Sequence, residues 1–368
     1  MKSVDVIIVG AGVAGLYAAS LLEQHGVTYR IFEASERIGG RLLSSPADAD
    51  GGCVDLGAAW FWPHQTKVQA VLDALAIERF PQYVQGAVLY QVDTNNPPQR
   101  FDGEAGLSYR ISGGTAAIPE QLATRINPEN LYLNHPLAQL RRADESWQAT
   151  FTHNGQSTQQ TAKHLVLAAP PRVLLQHTNL AELLSTQLQQ ALSRQQTWMA
   201  AQAKFVATYK TAFWRNAGLS GDAFSRVGPM TEVHDASADD DAGYALFGFI
   251  GVPAEQRSQL SEAQLIQYCQ QQLAHLFGEQ ALHPTDRYLK DWAKDKWICS
   301  DLDIGEPRQH PEINLTAHTK ELTNLNLHFA STEVARQEAG YIEGALIAAK
   351  QAVQDIMSDD SNLRHQQS

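Results

Sequence analysis

The stretch Val4-Asp-Val-Ile-Ile-Val9-Gly10-Ala-Gly12-Val-Ala-Gly15 decides how this chain is read. Val4 to Val9 is a short, nearly continuous apolar run rich in β-branched residues, as expected of a parallel strand buried on both faces. Leu16 to His25 then carries small and apolar residues at helical spacing and stops at Gly26, and Thr28 to Phe32 reads as a second strand. In this β-α-β unit Gly10 permits the tight turn, Gly12 lets a pyrophosphate approach the backbone, and Gly15 lets helix and strand pack closely. The helix N-terminus turns free N–H groups and a partial positive charge toward the phosphates. Glu33, 18 residues after Gly15, stands where a carboxylate accepts from a ribose 2′-OH and repels a 2′-phosphate. The unit therefore predicts a dinucleotide site, and the glycines alone do not separate NAD from FAD.

Working outward, 368 residues allow two to three domains. With 28 Lys plus Arg against 40 Asp plus Glu, the net charge of -12 disfavours a nucleic acid as main partner. Cys53, Cys269 and Cys299 are far apart and lack C-x-x-C spacing, which suggests neither a disulfide framework nor a zinc site. No H-x-x-x-H spacing occurs among 13 histidines, and Asp239-Asp240-Asp241 reads as a solvated loop, so no metal is expected. No apolar stretch approaches the roughly 20 residues of a membrane span. These features predict a soluble, unprocessed, cytoplasmic protein.

Further motifs recur along the chain: Ser35-Glu-Arg37-Ile-Gly39-Gly40-Arg41; Asp55-Leu-Gly57-Ala-Ala-Trp60-Phe-Trp62; Gly113-Gly114-Thr115; Leu165 to Pro171; Ala203-Lys204-Phe-Val-Ala-Thr-Tyr209; Phe329-Ala-Ser-Thr332-Glu333; and Gly340-Tyr341-Ile342 opening a long helical pattern. In order and spacing this set resembles the flavin-containing amine oxidase family from about residue 4 to residue 357. The resemblance selects FAD over NAD. It implies a mixed α/β fold, with a Rossmann-like FAD-binding domain of the p-hydroxybenzoate hydroxylase/amine oxidase type and an interleaved, reduced substrate domain.

Carried over position by position, it places Gly10, Gly12, Ala14 and Gly15 at the pyrophosphate and Glu33 and Ala34 at the adenosine ribose. Gly40 and Arg41 fall at the phosphate or flavin edge, with Leu137, in a strand-like Asn134 to Leu140, at the adenine. Gly57, Ala58, Ala59, Trp60, Tyr341 and Ile342 would lie along the flavin, and Thr332 and Glu333 beside the pyrophosphate and ribityl chain. Ser331 stands where the family has glycine. The catalytic assignments are Lys204, Tyr341 and Trp60: Lys204 bonded through water to flavin N5, Tyr341 as one wall of an aromatic cage, and Trp60 in place of a family tyrosine. The residues themselves leave alternatives open, because strand alternation allows Lys204 to face solvent, Trp60 and Trp62 to be core, and the last helix to be an ordinary packing helix.

The chain departs from the monoamine oxidases at the opposite cage wall. Aligning on Trp292 puts Asp301 and Leu302 where those enzymes have cysteine and tyrosine, with Cys299 two residues early. FAD is therefore expected to be bound non-covalently, with one aromatic cage wall from these positions. Residues 1–79, 110–195 and 291–358 are expected to form the FAD domain, 80–109 and 196–290 the substrate domain, and 359–368 a disordered tail. Only about thirty residues precede the glycine pair where the family carries a helical lid, so either the substrate is larger than a simple arylalkylamine or a second subunit closes the site. Leu42 to Gly52 reads as a surface turn, and Asn154-Gly155 as a hairpin turn.

The expected activity is oxidation of an amine or amino acid C–N bond to an imine by hydride transfer to flavin N5, with O2 returned as H2O2. The same fold also hosts C–C desaturases and protoporphyrinogen oxidases, and a flavin-stabilised binding protein with little turnover is a third reading.

Overall fold

The computed structural model describes residues 2–47, 52–103, 106–239, 243–305, 309–310 and 315–366, with side chains of the last helix described to residue 358. At its centre Val4–Val9 is a strand flanked in parallel by Tyr29–Phe32 and by the second half of Gln156–Leu167. Leu327–Phe329 and Leu131–Tyr132 extend the parallel pairing outward. The first half of Gln156–Leu167 turns back through Asn154 (φ 48°) and Gly155 (φ 77°) to pair antiparallel with Ser146–His153, which pairs with Leu137–Ala143. Positive φ at both turn residues is what a two-residue hairpin needs, so the Asn-Gly reading holds.

Both faces of this seven-stranded sheet are covered, which is why the Val4–Val9 run is apolar without alternation. Helices Val13–Gln24 and Ile342–Gln366 pack on one face through Leu16, Ala19, Leu346 and Val353. On the other face, helices Pro171–His177 and Thr186–Arg194 bury Leu174, Leu188 and Leu192 against Trp147, Phe151 and Leu167. At Gly15 a Cβ would lie 1.9 Å from the Gly10 carbonyl oxygen. Any side chain there would push the first helix off the strand.

A second seven-stranded sheet runs in the order Arg287–Asp291, Ala203–Tyr209, Tyr244–Ile250, Met230–Asp235, Leu219–Ser225, Ala87–Gln91, Gln99–Asp102. Helix Glu262–Phe277 covers one face through Leu265, Leu273 and Leu276. The opposite face puts Val206, Ala245 and Phe247 against Val54, Leu56 and Ala59. Lys204 shares that face, so the alternation that left its exposure open is settled by what the face packs against.

Several local expectations are corrected. Helix one begins at Val13. The strand read as Asn134 to Leu140 is Leu137–Ala143, because Asn134 takes φ 57°, a turn conformation. Leu42 to Gly52 is no mere surface turn: Ser44–Pro46 pairs with Cys53–Asp55, and Leu42 and Ala47 are buried. The final helix runs to Gln366 and draws in most of the segment expected to be a disordered tail, since extending a formed helix costs far less than nucleating one. Asp240 and Asp241 lie outside the described residues. Among the described residues no helix stands within 80–109, no three His, Cys, Asp or Glu side chains are grouped to hold a metal, and no helix is long and apolar enough to cross a membrane.

Candidate active site

A cavity of about 440 Å³ extends from the glycine turn of the first sheet to the Lys204 face of the second. One end is lined by Gly10, Gly12, Ala14, Glu33, Ala34, Gly40, Arg41 and Leu137, the other by Gly57, Ala58, Ala59, Trp60, Lys204, Thr332, Tyr341 and Ile342. These sixteen residues, up to 332 positions apart, were all singled out from the sequence. Gly15 and Glu333 were also placed at the cofactor, and neither lines the cavity. Gly15 acts behind it through the close helix–strand approach, and Glu333 is wholly buried 2.7 Å from Arg41 Nη1.

The ADP-like end is built from the strand–turn–helix. Glu33, at the end of the second strand, accepts from the backbone N–H of Ala11 (2.7 Å) and, through its other oxygen, from the backbone and hydroxyl of Ser35 (2.8 Å each). A Cβ on Gly12 would meet only Gly40 Cα at 4.0 Å, leaving open space above the helix N-terminus. Arg37, not assigned from the sequence, donates to the Gly40 carbonyl at 2.7 Å and lines the same end. Glu333 Oε1 is held by Arg41, while Oε2 is buried with no hydrogen-bond partner among the described residues. Open glycine backbone offers N–H donors and room for a diphosphate, and a fixed carboxylate with an unsatisfied buried oxygen offers acceptors for ribose and ribityl hydroxyls, so the residues present fit FAD.

At the other end Lys204, on Ala203–Tyr209, is 2% exposed. Its Nζ donates to the carbonyls of Gly57 (2.6 Å) and Asp55 (3.2 Å) and lies 4.3 Å from the centroid of Phe247. Burial pulls its pKa down to about 7, with Asp55 opposing and Arg110 assisting. Asp55 anchors this region: its carboxylate accepts from Thr115 N (2.7 Å), Thr115 Oγ1 (2.9 Å) and Ser44 Oγ (2.7 Å) and pairs with Arg110 at 3.2 Å, all in the interior. That network explains why Gly113-Gly114-Thr115 and the Asp55 segment occur together, a link invisible in either motif alone.

Tyr341 follows Gly340 (φ 89°) and stands edge-on to Trp62, with ring centroids 5.4 Å apart. Glu343 fixes this arrangement by capping helix Thr66–Leu75, accepting from Lys67 N and Val68 N at 2.8 and 2.7 Å. Burial, then Glu338, pushes the Tyr341 phenol upward, keeping it a neutral hydroxyl. Trp60 packs against His234 (5.1 Å) and Phe247 (5.4 Å) while still facing the cavity, so it is both wall and packing residue. Trp62 and Trp297 also line the cavity, whereas Asp301 and Leu302 do not. They open helix Asp301–Gly305, and Leu302 is 53% exposed. Trp198, Phe249 and Ile298 complete the walls and carried no motif signal.

Two sheets enclosing such a cavity define a Rossmann-like flavoenzyme. Residues 8–75 match an NAD(P)-binding Rossmann-like domain, and residues 96–357 match the flavin containing amine oxidoreductase family, to which the chain belongs. It is 23% identical to putrescine oxidase of Kocuria rosea, over 97% of this chain and 96% of the relative. It is 22% identical to L-amino acid dehydrogenase of Synechocystis, over 97% and 95%. The fold is shared with putrescine oxidase bound to putrescine (TM-score 0.80, 20% identity, 97% and 99% covered) and with cyclohexylamine oxidase from Brevibacterium oxydans (TM-score 0.80, 21% identity, 98% and 100% covered). The chain is thus an oxidoreductase of the flavin amine oxidase family.

Proposed function

We propose that this protein oxidises an amine with an apolar side chain to its imine, using non-covalently bound FAD and passing the electrons to O2. The carrying observation is Lys204, a buried lysine brought to near-neutral pKa in the wall of a cavity that begins at a dinucleotide fingerprint and ends between Trp60 and Tyr341.

In this reading Gly10, Gly12, Ala14, Glu33, Ala34, Gly40, Arg41 and Leu137 hold the adenine-nucleotide half of FAD, and Gly57, Ala58, Ala59, Thr332 and Ile342 hold the flavin half. When bound, FAD would accept a hydride from the carbon beside nitrogen as the nitrogen gives up a proton, and the two electrons and two protons would pass to O2 as H2O2. Trp60 and Tyr341 orient the amine and exclude water from it, and the apolar surroundings disfavour the charged ammonium form. Lys204, poised to hold or release a proton at Nζ near pH 7, positions a water at the reacting end. The N-terminus of helix Ile342–Gln366 offers its N–H groups to developing negative charge.

No cysteine lines the cavity, and burial pushes the Cys299 thiol up to about 12, keeping it a poor nucleophile. This supports the non-covalent assignment. The two sheets support assigning residues 1–79, 110–195 and 291–358 to FAD binding and 80–109 with 196–290 to the substrate side. Three free thiols suit a reducing compartment, and we place the protein in the cytoplasm.

The test is peroxide release and anaerobic flavin bleaching with cyclohexylamine, benzylamine, putrescine and amino acids. Bleaching by an amine supports the proposal. Bleaching only by a polycyclic or isoprenoid compound overturns it.

A further inference from the structure

The chain has no tyrosine at the aligned second cage position, and the structure puts Asp301 and Leu302 outside the cavity. A different aromatic residue borders the cavity next to Tyr341. Trp198 lines the cavity beside Gly340 and Tyr341. Its placement is fixed from four directions. Met199 adopts φ 61°, unusual for a side-chain-bearing residue, and so ends the preceding segment sharply at Trp198. The Trp198 carbonyl accepts from Arg41 Nη1 at 3.2 Å. The neighbouring Thr197 N–H donates to Asp303 at 3.0 Å, a carboxylate buried against Arg172 at 2.9 Å. Gly340 leaves the room: a Cβ there would lie 2.9 Å from Trp198 Cγ.

His310 joins Trp198 to Tyr341. Its ring stacks on Trp198 with centroids 3.6 Å apart and planes at 23°, and lies 5.1 Å from the Tyr341 ring. The Tyr341 hydroxyl and His310 Nε2 are 3.1 Å apart. Gln309 N donates to Gln196 Oε1 at 2.7 Å, tying the two backbone segments side by side. His310 is exposed and does not line the cavity, so it acts from outside, through the two rings it joins.

We propose that Trp198 extends the aromatic wall begun by Tyr341 and is a specificity-determining residue for the amine, and that His310 is a positioning residue that clasps Trp198 to Tyr341. This rests on the amine-oxidising reading above. A rigid indole continuing the phenol's wall adds apolar surface with little entropy to lose when an amine binds. The bulk of Trp198 then limits the side chain accepted along that wall.

The experiment uses the flavin-loaded protein and two readouts. Anaerobic titration with cyclohexylamine and with benzylamine gives the dissociation constant and the limiting bleaching rate. Trp198→Ala is expected to weaken binding at least tenfold with the limiting rate changed less than threefold. Trp198→Phe should stay within threefold for both, and His310→Ala should fall between, with His310→Phe restoring most of the binding by keeping the stack. Unchanged binding in Trp198→Ala, or loss of flavin in Trp198→Phe, overturns the wall assignment. Hydrogen exchange gives the second readout: His310→Ala should speed exchange at residues 196–201 and 338–342 while leaving residues 10–24 unchanged. If those two segments do not respond, the clasp is wrong whichever compound proves to be the substrate. If no amine bleaches the wild-type flavin, the amine reading and the cage assignment that rests on it both fall, and the clasp alone stands or falls on exchange.

Discussion

Lys204 and Gly57, 147 residues apart in sequence, meet through a 2.6 Å hydrogen bond from the lysine Nζ to the glycine carbonyl at the wall of the cavity. The bond ties the second sheet to the segment that follows Cys53–Asp55, and it does so with an ionisable group that has almost no access to water.

That burial has a pH signature. The folded-state pKa of Lys204 is lowered to about 7 from 10.5, so folding opposes its protonation. The stability cost is absent above the unfolded value, grows as pH falls from about 10.5, and is fully present below about 7. Lys204→Met removes this dependence. Relative to wild type, its stability should improve by on the order of 4 kcal/mol between pH 10 and pH 6, at roughly 1.4 kcal/mol per unit. Thermal denaturation of both proteins across that range checks it, and parallel curves would refute the buried, near-neutral lysine. The same variant should bleach at least a hundredfold more slowly or reoxidise more slowly with O2.

Asp55 holds Arg110 in the interior, with side chains 1% and 3% exposed. Asp55→Ala leaves that guanidinium uncompensated and should cost about 3–5 kcal/mol. Denaturant unfolding measures the loss, and the double variant Asp55→Ala/Arg110→Met should recover part of it. A single-variant loss under 1 kcal/mol would mean that Arg110 reaches water.

Glu33 both orients the glycine turn through Ala11 N and faces the cavity. Glu33→Ala is expected to raise the FAD dissociation constant ten- to a hundredfold, the loss of one or two hydrogen bonds to a charged group. Release of flavin fluorescence on dilution reports it. Gly15→Ala should be harsher, destabilising by about 3 kcal/mol or more, because the new methyl meets the Gly10 carbonyl rather than a yielding side chain.

Acid precipitation of the loaded protein should leave the yellow colour in the supernatant. Colour retained in the pellet after washing would show a covalent link and contradict the burial and distance of Cys299.

How much of this was legible in the residues depends on the range of the interaction that fixes each one. The β-α-β unit, Glu33 and the Asn154-Gly155 turn rest on local physics: β-branched runs, glycine φ and a helix N-terminus, all within a few tens of residues. The resemblance then carried the cavity's far end, Lys204, Trp60 and Tyr341, because their motifs are contiguous. Helix and strand ends shifted by one to three residues wherever a turn such as Asn134 competed with the apolar pattern, and the last helix outran its apolar repeat.

What the sequence by itself determined was the dinucleotide unit and the flavin amine oxidase fingerprint. What only the tertiary structure decided was whether the face bearing Lys204 meets solvent or the Val54–Ala59 segment, and which rings join Tyr341 at the cavity. Both depend on contacts between residues more than a hundred positions apart. Strand alternation names two faces without saying which is covered, and Trp198 and His310 carry no motif of their own, acquiring a role only when folding stacks one upon the other.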